Sequence, residues 1–152
     1  MTDPITFTSA TPRHSLALLF AGQSQKEFFV NEAHALTDAL LHPAIQGEAN
    51  IPPATPAEGD TWLVGGTPTG AWTDHPGKLA SFQAGAWIYA TPRDGMKVLE
   101  IPTGQDIRFV GGWQRPVPPV APSGGTTVDA EARAAIAGLV DALAAGGFFA
   151  AP

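Results

Sequence analysis

Four histidines, His14, His34, His42 and His75, are the side chains suited to shuttling a proton near neutral pH or ligating a metal through nitrogen. Their spacing fits no metal motif: His34 and His42 stand about two helical turns apart, where one ion needs an i,i+4 pair. His75-Pro76-Gly77 reads as a turn whose imidazole bonds local backbone. The carboxylates Glu58, Asp60, Asp74, Asp94, Glu100 and Asp106 bring a two-carboxylate glycosidase to mind. Yet Glu58-Gly59-Asp60 and Asp94-Gly95 sit at turn signals, where an acidic side chain supports the backbone. Ser24 in Gly22-Gln23-Ser24-Gln25 lacks the closing glycine and preceding strand of a nucleophile elbow, and reads as a helix cap or a local backbone partner. Neither Gly65-Gly66 nor Gly111-Gly112 is followed by the Lys-Ser/Thr or the helix that a phosphate-binding loop needs. With no cysteine in the chain, thiolate catalysis, thiolate metal sites and disulfides are excluded. These residues assign no catalytic group, no metal site and no cofactor.

Binding chemistry is better supplied. Trp62, Trp72, Trp87 and Trp113, with Tyr89, Phe82 and Phe109, concentrate aromatic mass in the middle of the chain. A small sheet of short strands needs such side chains for its core, so most are expected to be buried, leaving Trp72 or Trp87 as candidate platforms for a sugar ring. The densest polar cluster is Gln23, Gln25, Lys26, Asn31 and Glu32. It reads as a network that anchors the N-terminal segment, and a ligand site is the secondary reading.

Eight Lys and Arg against fourteen Asp and Glu give a net charge of −6, and the basic residues are scattered, which disfavours a surface that tracks nucleic-acid phosphates. Charged residues make 14% of the chain, below the roughly 25% usual for soluble domains, without any one residue type dominating. No apolar run approaches the ~18 residues of a membrane span, and Met1 to Ala10 lacks the basic and apolar regions of a signal peptide. The expectation is a protein made in the cytoplasm without membrane insertion.

The elements that must position these residues follow from punctuation. Residues 1–21 read as an extended arm, broken by Pro4 and Pro12. Phe29, Ala33, Leu36 and Leu40 recur at helical spacing and predict a helix from about Gln25 to Leu41, ended before Pro43. After Pro52, Pro53 and Pro56, closely spaced Gly and Pro bound short runs at Asp60–Val64, Lys78–Gln83, Trp87–Thr91, Lys97–Ile101 and Ile107–Val110, with Ala84-Gly85 as a tight hairpin turn. Gly70-Ala71-Trp72 is echoed by Gly85-Ala86-Trp87 and weakly by Gly112-Trp113, but the period is not sustained. Residues 22–113 therefore make a helix plus β-domain, an α+β fold with the helix packed on a small antiparallel sheet or meander.

Residues 114–127 form a Pro-rich spacer ending in a flexible joint. Residues 128–152 supply an Ala-rich helix from Val128 to Ala145, with Thr126 or Thr127 as N-cap, and a tail. Its stripe of Ile136, Leu139, Val140 and Leu143, with Phe148 and Phe149 in the tail, either folds back on the domain or joins copies of the chain.

The chain resembles a domain-of-unknown-function family frequent in alphaproteobacterial prophages, tailed phages and gene transfer agents. The resemblance rests on Gly22-Gln23-Ser24-Gln25-Lys26, Asn31-Glu32-Ala33, Pro52-Pro53, Pro56, Gly59-Asp60, Val64-Gly65, Gly70-Ala71-Trp72, His75, Gly77, Gly85-Ala86-Trp87 and Pro92-Arg93 with Gly95. It spans about Leu16 to Trp113 and leaves out the spacer and the last helix. It implies a virion component of the tail fibre or host-contact appendage, with no enzymatic residues to carry over. The expectation is thus a non-enzymatic structural protein of a phage-like tail, a homo-oligomer with a trimer favoured, partnered by other virion proteins and by a host surface glycan. Its rivals are a carbohydrate-binding module using Trp72 or Trp87 and a cell-wall or polysaccharide hydrolase using Glu58 and Asp60.

Overall fold

The computed structural model describes residues 16–19, 22, 24 and 26–150. The arm of residues 1–15, Gln23 and Gln25 lie outside the described residues. The order is α1 (Lys26–Leu40), β1 (Ala44–Ile45), β2 (Glu48–Ala49), β3 (Thr61–Val64), a 3-10 turn (Gly70–Trp72), β4 (Leu79–Gln83), β5 (Ala86–Ala90), β6 (Lys97–Glu100), β7 (Gln105–Phe109), β8 (Trp113–Gln114) and α2 (Ala130–Ala145). The α+β class holds, and the β region divides into two four-stranded sheets, β2-β3-β4-β5 and β1-β6-β7-β8. Within each, three strands form an antiparallel meander and a two-residue strand adds in parallel.

The two parallel strands come from one segment. Ala44 pairs with Leu99 on β6, while Glu48 pairs with Leu63 on β3, so the chain passes from one sheet to the other between Ile45 and Glu48. The crossing is bonded on both sides: Ile101 N–H donates to Ile45 O, Gln46 N–H to Thr61 O and Leu63 N–H to Gly47 O.

Alternation along the strands sets two cores. Ile45, Leu63, Leu79, Met96, Val98 and Ile107 fill the space between the sheets, with Leu36 and Leu40 of α1 packed against them. On the opposite face of the first sheet Val64, Trp72 and Ala80 are buried under a partial cover of Trp62, Trp87 and Tyr89. Phe29, expected on the buried stripe of α1, is 41% exposed. The helix reaches the core through Leu36 and Leu40 in its C-terminal half, and its earlier turns border an open groove instead. Gly65 is required by close approach, because any Cβ there would collide with the Asn50 side chain, whose Oδ1 accepts the Thr67 N–H.

The Ala84-Gly85 turn forms as the sequence indicates, with φ of +52° and +76°, the backbone of a type I′ hairpin. Glu58 holds it from outside, its carboxylate accepting the Ala84 and Gly85 N–H groups at 2.7 and 3.1 Å. Alanine is a poor occupant of the left-handed region because of its Cβ. Ala84→Asn is therefore expected to raise stability by about 0.5–1 kcal/mol, seen as a higher urea midpoint at unchanged m-value.

Candidate functional site

Of the carboxylates beside the sheets, Glu58, Asp60 and Asp94 make bonds that hold local structure. Glu58 caps the hairpin, Asp60 accepts the Ala57 N–H and the Gln46 amide, and Asp94 accepts the Gly111 N–H. The described histidines His34, His42 and His75 stand on separate segments of the chain. His34 is exposed on α1, His42 takes φ +56° just past the helix end, and His14 lies outside the described residues. Among the described residues no three His, Asp or Glu converge as metal ligands.

His75 stacks on Tyr89 with ring centres 3.6 Å apart, and its Nδ1 lies 3.2 Å from Lys78 Nζ. The Tyr89 hydroxyl donates to Ala71 O, and burial pushes the phenol above its ordinary range. For His75, burial and then the Lys78 charge lower the pKa, with Asp74 opposing. Unfolding restores the ordinary affinity, so the unfolded chain binds the proton more tightly. The contribution of His75 is present above the ordinary histidine range and is lost as pH falls through the lowered folded value. Thermal melting is expected to weaken between pH 8 and pH 5, with a shallower slope in His75→Phe, which keeps an aromatic stack.

Of the two candidate sugar platforms, Trp72 is corrected: it is 0% exposed and offers no face to a ligand. Its burial follows from the 3-10 turn, which folds the Gly70-Ala71-Trp72 copy onto the sheet. Trp87 is half-buried, edge-on to Trp72 at 5.0 Å and to Phe82 at 5.1 Å. The two Gly-Ala-Trp copies thus meet in space on different elements, one on the turn and one on the hairpin. The weak third copy puts Trp113 on β8, where its indole N–H donates to Gly77 O.

Asn31 and Glu32 of the polar cluster are exposed and line an open groove of about 640 Å³ between α1 and the β4–β5 hairpin, together with Asp38, Glu58, Gln83 and Ile88. Lys26 is half-buried at the start of α1 and is not part of this lining.

A cluster that sequence reading missed closes the β body. Arg115, assigned to the spacer, donates through Nε and Nη2 to Oε1 of Glu100 at 3.2 and 2.9 Å and reaches Glu48 at 3.0 Å. Burial opposes the guanidinium charge, but the bonds to Glu100 and Glu48 outweigh it and raise the pKa above its already high value. Thr103 Oγ1 donates to the other Glu100 oxygen. Glu48 stands on β2 and Glu100 on β6, so one side chain ties both sheets.

The C-terminal helix is capped by Asp129, whose carboxylate accepts the Ala132 N–H at 2.8 Å, rather than by Thr126 or Thr127. An aspartate in extended backbone three residues before its donor satisfies the first turn, and the threonines lie too far upstream. The spacer runs back beside the helix, with Arg133 donating to Pro122 O and Gly124 O. At the other end Phe148 N–H bonds Leu143 O and Gly147 N–H bonds Ala144 O, a Schellman stop with Gly147 at φ +78°. That stop directs the tail onto β7: Asp106 N–H donates to Gly147 O at 2.7 Å, and the buried Gln105 amide donates to Phe148 O and Pro116 O. Of the candidate assembly residues, Ile136, Leu139, Leu143 and Phe148 are exposed, and Val140 and Phe149 are half-buried.

Residues 30–115, more than half of the chain, match the family described as Protein of unknown function (DUF2793). The chain belongs to DUF2793. No curated protein and no solved structure matches it. The DUF2793 match begins inside α1 and ends on Arg115, so it takes in both sheets and the residue that joins them. The Gly22–Lys26 stretch lies outside it, as do the spacer beyond Arg115 and α2. Among the described residues no helix is long and apolar enough to cross a membrane.

Proposed function

We propose that this DUF2793 protein is a non-enzymatic structural part of a phage-like or gene-transfer-agent particle, in the tail fibre or a host-contact appendage, assembled as a homotrimer through its C-terminal helix. The observation that carries this reading is the outer face of α2. Ile136, Leu139 and Leu143, with Phe148 beyond the helix, stand exposed on a helix whose only ionic residues are Glu131, Arg133 and Asp141. An uncharged apolar stripe of this kind is self-complementary, and three copies close around an axis. The proline spacer leads from the β body to that helix, and the tail after the helix returns to β7. The resemblance to prophage and gene-transfer-agent proteins supplies the particle, and the structural bonds of Glu58 and Asp60 support a role without catalysis.

Light scattering on the full chain across a dilution series tests this. Three times the mass of one chain at every concentration is expected, falling to one chain when residues 128–152 are removed. A single-chain mass throughout overturns the self-association.

A second reading, contact with a surface glycan, is favoured by the groove between α1 and the hairpin, where Asn31, Glu32, Asp38 and Gln83 offer amide and carboxylate partners for hydroxyls. Titration with host polysaccharide tests it: Asn31→Ala and Glu32→Ala are expected to weaken binding, and equal binding by the variants removes the groove from consideration.

A further inference from the structure

We propose that the tail Gly147–Phe149 is exchanged between copies, so that the C-terminal segment of one chain occupies the β7 edge of another. This deepens the homo-oligomer reading above and rests on it. The slot is built for backbone. β8 pairs with Phe109 and Arg108 and then leaves the sheet, and the freed edge of β7 is met by the tail instead. Asp106 N–H donates to Gly147 O, and Gln105, 3% exposed, uses its side-chain amide on Phe148 O and Pro116 O. Asp106 and Arg108, with Lys97 across on β6, Pro116 and the tail residues Gly147 and Phe148, enclose a cavity of about 140 Å³.

The two bonds made to the tail, from Asp106 and Gln105, go to the main-chain oxygens of Gly147 and Phe148, so a second copy supplies them equally well. What differs between the two arrangements is α2. With the tail seated on its own chain, α2 has no buried residue: Leu139 and Leu143 stand exposed, while Ile136 and Val140 line a hollow against Pro119, Val120, Ala121 and Pro122 of the spacer. The segment from Pro116 to Gly125 spans roughly 3.1 Å per residue when extended, enough to hand the helix to a neighbour. Exchange keeps the slot filled and brings the stripe of the visiting helix into the assembly, where it is buried. Exchanging an identical element in this way is a low-cost route to a symmetric oligomer.

The absence of cysteine makes the test direct. Arg108→Cys and Phe148→Cys are made as separate chains, co-refolded in equal amounts and oxidised. Both positions are exposed and line the same cavity; Lys97→Cys serves as the slot variant should Arg108→Cys fail to fold. A disulfide-linked pair containing one chain of each kind, well above the self-linked background of either variant alone, is expected. Its absence while the Arg108→Cys/Phe148→Cys double variant closes a loop within one chain overturns the exchange. A trimer by light scattering without the mixed disulfide removes only the exchange, whereas a single-chain mass with an intrachain loop removes the association as well.

Discussion

A Trp72→Ala variant is expected to lose about 3–5 kcal/mol in urea denaturation, a large share of the roughly 5–15 kcal/mol that holds a domain of this kind. Trp72 is fully buried, in ring contact with Trp62 at 6.4 Å and Trp87 at 5.0 Å, and it fills the second core almost alone beside Val64 and Ala80. Its removal leaves a cavity the size of an indole under a single sheet. Trp72→Phe is expected to cost much less, because the indole N–H has no hydrogen-bond partner among the described residues and its loss removes a polar burden. Trp87→Ala belongs between the two, since that ring is already half open to solvent. A Trp72→Ala midpoint within error of the parent chain shows that the second core does not support the fold.

Arg115→Ala is expected to cost about 3–5 kcal/mol for a different reason. The Glu100 side chain is 10% exposed and keeps only Thr103 as a partner once the guanidinium is gone. A buried carboxylate without its counter-charge is penalised far more than the net worth of the pair. Glu48→Ala removes the exposed arm of the same cluster, 43% accessible, and is expected to cost under about 1 kcal/mol. Comparing the two by denaturation separates loss of the buried charge pairing from loss of a surface pair. Equal effects show that the contact between sheets, and not the desolvated carboxylate, governs the cluster. Arg115→Lys is expected to behave more like alanine than like arginine, because an ammonium cannot reproduce the two-nitrogen grip on one oxygen.

Legibility in the sequence followed the strength of local signals. The Ala84-Gly85 turn, the strand-length runs between Gly and Pro, and the two helices were readable because each is specified by residues close together in the chain. The strands Ala44–Ile45 and Glu48–Ala49 were not, since two residues carry no period and their partners lie far along the sequence. Trp72 and Trp87 looked equivalent as members of one motif, yet the 3-10 turn buries one and the hairpin leaves the other half-open. Arg115 was hidden by its surroundings: flanked by Gln114 and Pro116, it reads as spacer, and only its placement between Glu48 and Glu100 reveals a residue that ties the two sheets. The groove of Asn31 and Glu32 was legible as a polar cluster, while its far wall, Glu58 and Gln83, comes from other elements.

The crossing segment between Ile45 and Glu48 also governs how the protein is made. During synthesis β1 emerges early, but its pairing partner β6 is not translated until Leu99 and Glu100 are added. Contacts so distant in sequence are slow to close. The β1–β6 pairing therefore cannot close before Glu100 is made, nor the bridge from Arg115 to Glu48 and Glu100 before residue 115 is made, whatever structure the first sheet has reached by then.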